Sequence, residues 1–101
     1  MINVIAILTA QPGKRDELLA AFHANMPAVH AEDGCIEYAP AVDTDHDIAS
    51  ASFGPDSFVV IEKWASKDAL SLHAKAPHMA AYAAKAKPLI AGRVIHVLET
   101  V

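Results

Sequence analysis

The chain has 101 residues, a formal net charge of −4 and a composition that is 53% hydrophobic. A length of this order allows one domain, residues 1–101, with a thin core that gains from burying surface against a partner. The acidic balance argues against nucleic acid and against an anionic membrane surface as partners. The single cysteine, Cys35, rules out an intramolecular disulfide and fits a reducing, cytoplasmic setting.

Ile2 to Thr9 is a β-rich run without helical spacing. Ile2, Val4, Ala6 and Leu8 share one face, and Ile5 and Ile7 the other, so both faces are expected to be buried. The run is short, lacks a basic leader and gives way to QPGKRDE, so it reads as a first strand and not as a signal peptide. No stretch approaches the ~18 apolar residues of a membrane span. Pro12 and Gly13 break the strand. Leu18, Leu19, Phe22, Met26 and Val29 then recur at close to 3.6 residues, which predicts a helix. Pro27 falls late in this pattern and should kink or restart it. Gly34 closes the helical region.

Cys35 to Val42 reads as a second strand, with Pro40 pointing to an edge or a bulge. Asp43 to Asp56 is polar and small, a connecting loop. Ser57 to Trp64 is the clearest strand, with Phe58, Val60, Glu62 and Trp64 on one face. Ser66 suits an N-cap and Asp68 the first turn of a helix running to about Lys75. Pro77 suits the first turn of another, carrying Met79, Tyr82 and Ala86. Arg93 to Glu99 is the last strand.

The order β-α-β-β-α-β, with the second helical segment split at Pro77, predicts an α+β, ferredoxin-like split βαβ fold: a four-stranded antiparallel sheet with helices on one face. The opposite face keeps apolar groups from the first and third strands. Such a face is an oligomer interface in waiting, and a two-fold homodimer with sheets face to face is its simplest closure.

The stretch from Gly34 to Tyr82 contains GCIEYAPAVD and then PDSFVVIEKWASKDALSLHAKAPHMAAY. Its order of Gly-Cys, Tyr, Glu-x-Trp, Ser, Leu-x-x-His and Pro-His-Met-x-x-Tyr resembles antibiotic biosynthesis monooxygenases. The details GC…YAP…VD, PDS, IE-x-W and PHM-x-x-Y, with the opening VIAILTAQPGKRDELL, are most similar to the bacterial quinol monooxygenase branch. The resemblance implies a dimeric α+β barrel and oxidation of a small aromatic quinol or polyphenol by O2. It implies no flavin, haem or metal cofactor. By motif match its pocket positions fall on Glu62, Trp64, His73, His78 and Tyr82. A haem-degrading branch carries a histidine on the last helix, where this chain reads AAYAAKAKP, and Asn3 lies earlier than that branch's paired asparagine. Both differences count against haem degradation. A relative that isomerises a phosphorylated sugar shares the His and Pro-His pattern.

The residues permit this chemistry. A carboxylate at Glu62 among Phe58, Val60 and Trp64 would be desolvated and its pKa raised, suiting it to proton exchange with a phenol; it could equally pair with a lysine or arginine. Trp64 could form a flat wall for an aromatic ring or simply fill the core. His73 follows that strand on the next helix, and an imidazole is the natural base for a quinol hydroxyl because it changes charge near neutral pH. His78 and Tyr82 are four apart on one helix face and could bond two oxygens of a quinone-like ring. Tyr38 is a further candidate by strand alternation. The six histidines show no recognised zinc or facial-triad spacing, and no phosphate-binding glycine motif occurs. In this reading His73, with Glu62, deprotonates a quinol that passes electrons to O2, giving a quinone with or without an inserted oxygen. Two other readings stand beside it: an isomerase or tautomerase of a small carbonyl compound, and a non-catalytic stress-response dimer that binds an aromatic ligand.

Overall fold

A computed structural model describes residues 1–101. The period-two alternation of the first run produces strand β1 (Ile2–Ala10), whose even-numbered residues are all buried. Helix α1 (Arg15–His30) follows, then strands β2 (Cys35–Ala41) and β3 (Ser57–Trp64), helices α2 (Lys67–Lys75) and α3 (Pro77–Ala86), a short 3₁₀ turn at Lys87–Leu89, and strand β4 (Ile90–Glu99). The strands form one sheet in the order β2-β3-β1-β4, every pair antiparallel. This is the ferredoxin-like α+β arrangement that the element order predicts.

Helix α1 runs unbroken through Pro27 to His30, so the expected restart does not occur. The missing Pro27 N–H removes a single intrahelical bond, and its carbonyl still accepts from Ala31 N at 3.2 Å. Strand β4 begins at Ile90, three residues earlier than its sequence pattern suggests, and a register shift at Thr9/Ala10 accommodates the extra residues. Strand β2 is the sheet edge that Pro40 anticipates, and it carries a bulge between Cys35 and Glu37. One extra residue there changes which side chains face inward, so that Cys35 and Tyr38 both lie on the helix side while Glu37 pairs with Lys63 on the other.

Ser66 caps α2 as expected, its Oγ accepting from Ala69 N at 3.1 Å. Pro77 opens α3, its missing N–H costing nothing at a first-turn position. Gly34 joins α1 to β2 with a φ of +82°, and a Cβ there would lie 2.6 Å from the Ala69 Cβ. Only glycine satisfies both demands. The turn is fixed further by Gly34 O, which accepts from Ala65 N at 2.8 Å.

The core lies between the sheet and the helices. Trp64, Phe22, Phe58, Leu18, Val4, Val29 and Val60 are its most fully buried side chains. Each contributes ~1.5–3 kcal/mol by leaving water. The other sheet face is apolar and uncovered in the single chain: Ile5 and Ile7 are half-buried, and Ile61, Val94 and Leu98 are exposed. No helix is long and apolar enough to cross a membrane.

Candidate active site

The inner face of the sheet presents two apolar rows running across the strands. Tyr38, Glu62, Val4 and Val97 are aligned by register, and next to them Val60, Ala6 and Ile95. These rows are the floor of a cavity of about 1040 Å³. Leu70 and His73 of α2 and Met79 and Tyr82 of α3 form its roof, and Phe22 of α1 closes one side. The helices cover β1 and β3 but stop short of β4, so Ile95 and Val97 stay half-exposed at the open side. The space is of the size taken by a small organic ligand, and apolar walls with a few polar groups are the usual make-up of such sites.

Glu62 is the carboxylate on this floor, with 7% of its surface exposed. Its Oε1 accepts from Trp64 Nε1 at 2.9 Å. Both residues point inward because they are two apart on one strand. Burial pushes the Glu62 carboxyl above the ordinary carboxylate range; the Trp64 bond and nearby His73 only partly offset this, and Glu32 adds to it. A carboxyl raised in this way is more readily protonated, which suits it to taking and returning a proton.

His73, on α2, is buried beside it. Its Nδ1 lies 2.8 Å from Glu32 Oε2, and the same oxygen lies 2.9 Å from His78 Nε2. With the carboxylate accepting, both imidazoles donate. His73 then carries its proton on Nδ1, which leaves Nε2 as the ring nitrogen open to the cavity. Glu32 is itself well placed, since its backbone N–H bonds Val29 O at 3.0 Å and its carbonyl accepts from Cys35 N at 3.2 Å. The α1–β2 turn thus ties down both α2 and α3 through one oxygen.

Aromatic rings complete the polar end. Trp64 packs against His73 at 4.5 Å between centroids with a 37° tilt, and Tyr38 meets His73 edge-on at 5.5 Å. Phe22 stacks on Tyr38 at 5.0 Å and meets Tyr82 edge-on at 6.2 Å. Burial, reinforced by the carboxylate of Glu62, pushes the Tyr38 phenol far upward, so it remains a hydrogen-bond donor at any working pH. Burial also raises Tyr82, with Arg93 opposing. The Tyr82 hydroxyl is buried yet bonds no group of the protein.

Four of the six residues singled out in the sequence, Glu62, His73, Tyr38 and Tyr82, line this one cavity. Trp64 does not. It is fully buried beneath them, and instead of a ligand wall it supplies the N–H that holds Glu62 and the ring that braces His73. His78 is also outside the lining; it borders a smaller recess on the far side of α3, with Asn25 and Tyr82. Its ring is turned toward Glu32 because that carboxylate is its hydrogen-bond partner. Glu32 itself was not legible as a site residue. The one signal was a glutamate in the AEDG turn, two residues before the glycine.

The family model described as antibiotic biosynthesis monooxygenase matches residues 1–85. The chain is 38% identical to YgiN of Escherichia coli, named a probable quinol monooxygenase, over 98% of this chain and 97% of YgiN. Among solved structures it is similar to Rv0793 from Mycobacterium tuberculosis, with 28% identity, a TM-score of 0.81 and coverage of 99% and 94% of the two chains. It is similar also to PA3566 from Pseudomonas aeruginosa, with 25% identity, a TM-score of 0.83 and coverage of 99% and 93%.

Proposed function

The chain belongs to the antibiotic biosynthesis monooxygenase family and is an enzyme of the monooxygenase class, and on that footing we propose that it oxidises a quinol or related polyphenol with O2, without a cofactor. The likeness to YgiN supports a quinol. The observation that carries the reading is the meeting of His73 and Glu62 in one largely apolar cavity, with His73 oriented by Glu32.

The quinol ring lies on the apolar floor beside Phe22. His73 Nε2 takes the proton of one hydroxyl, while Tyr38 donates to a ring oxygen. The resulting quinolate is electron-rich enough to reduce O2 directly, and the apolar walls keep water away from the intermediates. For a monooxygenation, quinol and O2 give a hydroxyquinone and water. The substrate loses four electrons, one oxygen atom enters the ring and the other leaves as water. Glu62 returns a proton to that departing oxygen.

The test is O2 uptake by metal-stripped protein with a naphthoquinol, followed by labelling with ¹⁸O2. We expect uptake above the non-enzymic background, label in the product, and a loss of about 100-fold or more in His73→Ala, the scale of a general base. Background-level uptake overturns the reading, as does full activity in His73→Ala. Conversion of a carbonyl substrate under strict anaerobiosis would assign the cavity to an isomerase instead.

The working unit in this reading is a cytoplasmic homodimer of one-domain protomers. Ile5, Ile7, Ile61, Val94 and Leu98 give the outer sheet face an apolar character that a lone 101-residue chain leaves open to water. Packing that face on its copy would remove it. Sedimentation of the wild type as a dimer, and of Ile61→Asp as a monomer, is the expected result. A monomeric wild type at micromolar concentration overturns it.

A further inference from the structure

The charges around the cavity are unlike those of the chain. The protein has 12 acidic residues and 8 lysines and arginines. Yet Lys75, Lys87 and Arg93 all border this cavity, and Glu62 is its only acidic residue. None of the three cations makes an ion pair. Glu62, a single carboxyl, cannot balance three cations. These three exposed side chains give the mouth of the cavity an excess of cations in a protein of net charge −4, and a local excess of that kind attracts anions.

The cations are also not where the acid-base groups are. Glu62 pairs through Val4 to Val97, whereas Arg93 pairs with Leu8 at the other end of β1. Two strand spacings across the sheet and four residues along it set the Glu62 and Arg93 Cα atoms roughly 16 Å apart. Between them the floor is apolar: Val4, Ala6, Leu8 and Ile95. At the Arg93 end, Tyr82 presents a buried hydroxyl with no partner in the protein. Arg93 lies near enough to that hydroxyl to oppose the effect of its burial. A donor without an acceptor, beside a guanidinium without a counter-ion, is what an oxyanion would complete.

We propose that the cavity takes an aromatic substrate bearing a carboxylate on the side of the ring system opposite the reacting hydroxyl. Arg93 and Tyr82 hold the carboxylate, and Lys87 contributes at longer range. The hydroxyl then reaches His73 and Glu62. This rests on the reading of the cavity as a site for a hydroxylated aromatic ring, and adds which end of the molecule goes where. Arg93 would set the register of the ligand and so decide which hydroxyl is deprotonated.

The test measures binding alone, so it does not depend on turnover. The probes are 6-hydroxy-2-naphthoate, with hydroxyl and carboxylate at opposite ends of a fused ring pair, and 2-naphthol, which lacks the carboxylate. Their affinities are measured by titration calorimetry at low and at high salt. The naphthoate is expected to bind at least fivefold tighter than 2-naphthol at low salt, with the margin shrinking as salt screens the charges. Arg93→Gln should remove most of the margin while leaving 2-naphthol affinity unchanged, which also shows that the variant is folded. Equal affinity of the two probes overturns the proposal. So does a margin that survives in Arg93→Gln. A naphthoate preference in a protein that consumes no O2 would keep this inference and sink the monooxygenase reading; O2 uptake with neutral quinols and no naphthoate preference would do the reverse.

Discussion

Glu32 Oε2 and His73 Nδ1 lie 2.8 Å apart, joining the turn after α1 to the last turn of α2 across 41 positions of sequence. The carboxylate is nearly buried and is shared with His78 at 2.9 Å. It fixes which ring nitrogen of His73 bears the proton and which faces the cavity. Glu32 touches no part of the cavity, so its place in the chemistry is that of a positioning residue acting through His73.

Glu32→Gln should therefore separate kcat from KM. The glutamine keeps the shape, but its amide nitrogen can only donate, and one oxygen must then serve both histidines without charge. His73 is freed to rotate or to change tautomer. Turnover of a naphthoquinol should fall about 10- to 100-fold, a fraction of what a general base supplies, while KM moves less than about threefold. A variant that loses KM and kcat together, or neither, contradicts the positioning role.

Glu62 makes a prediction about stability and pH. Its folded-state pKa is raised, chiefly by burial. A carboxyl raised on folding prefers the folded state when neutral. Its contribution is fully present below the unfolded carboxylate value of about 4.3 and is lost as pH rises through the raised value. Glu62→Gln stays neutral at every pH and can still accept from Trp64 Nε1. The melting temperature of the variant relative to the parent should thus climb from about pH 4 upward, through the raised value. A difference that stays flat over this range would show that Glu62 carries no burial penalty.

Much of the fold was legible because its elements alternate or recur with clear periods. Val60, Glu62 and Trp64 announce a strand face, and Ser66 and Pro77 mark helix starts with local chemistry. Strand alternation singled out Glu62 and Tyr38, and the register of β2 on β3, bulge included, puts them on one surface. What the local pattern could not carry was partnership across the chain. Trp64 reads equally well as wall or core, and only the helix packed over it makes it core. Glu32 is one acidic residue among 12, and its role depends on α2 and α3 returning to the α1–β2 turn. The start of β4 at Ile90 was hidden because Ile90 to Gly92 resemble a loop until they pair with Thr9 and Ala10.

That turn offers a separable test. Gly34 is needed for two reasons, a φ of +82° and a Cβ position only 2.6 Å from the Ala69 Cβ. Gly34→Ala should lower the unfolding free energy in urea by about 2–4 kcal/mol, backbone strain and overpacking together. Adding Ala69→Gly opens the space but leaves the strain, and it weakens α2 by about 1 kcal/mol. Measured against Ala69→Gly alone, the second substitution at Gly34 should cost only the strain, about 1–2 kcal/mol. If the two substitutions are simply additive, the contact between the turn and α2 is not the constraint described above. Ala69 is one helical turn before His73, so the contact also bears on where that imidazole sits.

Tyr82 gives the sharpest contrast between stability and binding. Its hydroxyl is buried and bonds nothing in the protein, which is a cost to the empty fold because a desolvated hydroxyl has lost water without gaining a partner. Tyr82→Phe removes that hydroxyl and keeps the ring that meets Phe22 edge-on at 6.2 Å. The unliganded variant should be as stable as the parent, or more stable by up to about 1 kcal/mol. Ligand binding should move the other way. If the hydroxyl donates to a ligand oxygen, its removal weakens an aromatic phenol or carboxylate by about three- to tenfold, the worth of one hydrogen bond. Thermal melts and calorimetric titrations on the same two proteins check both halves. A variant that is clearly destabilised when empty, or one that binds with unchanged affinity, would mean that the hydroxyl is a structural group and not a contact held open for a ligand.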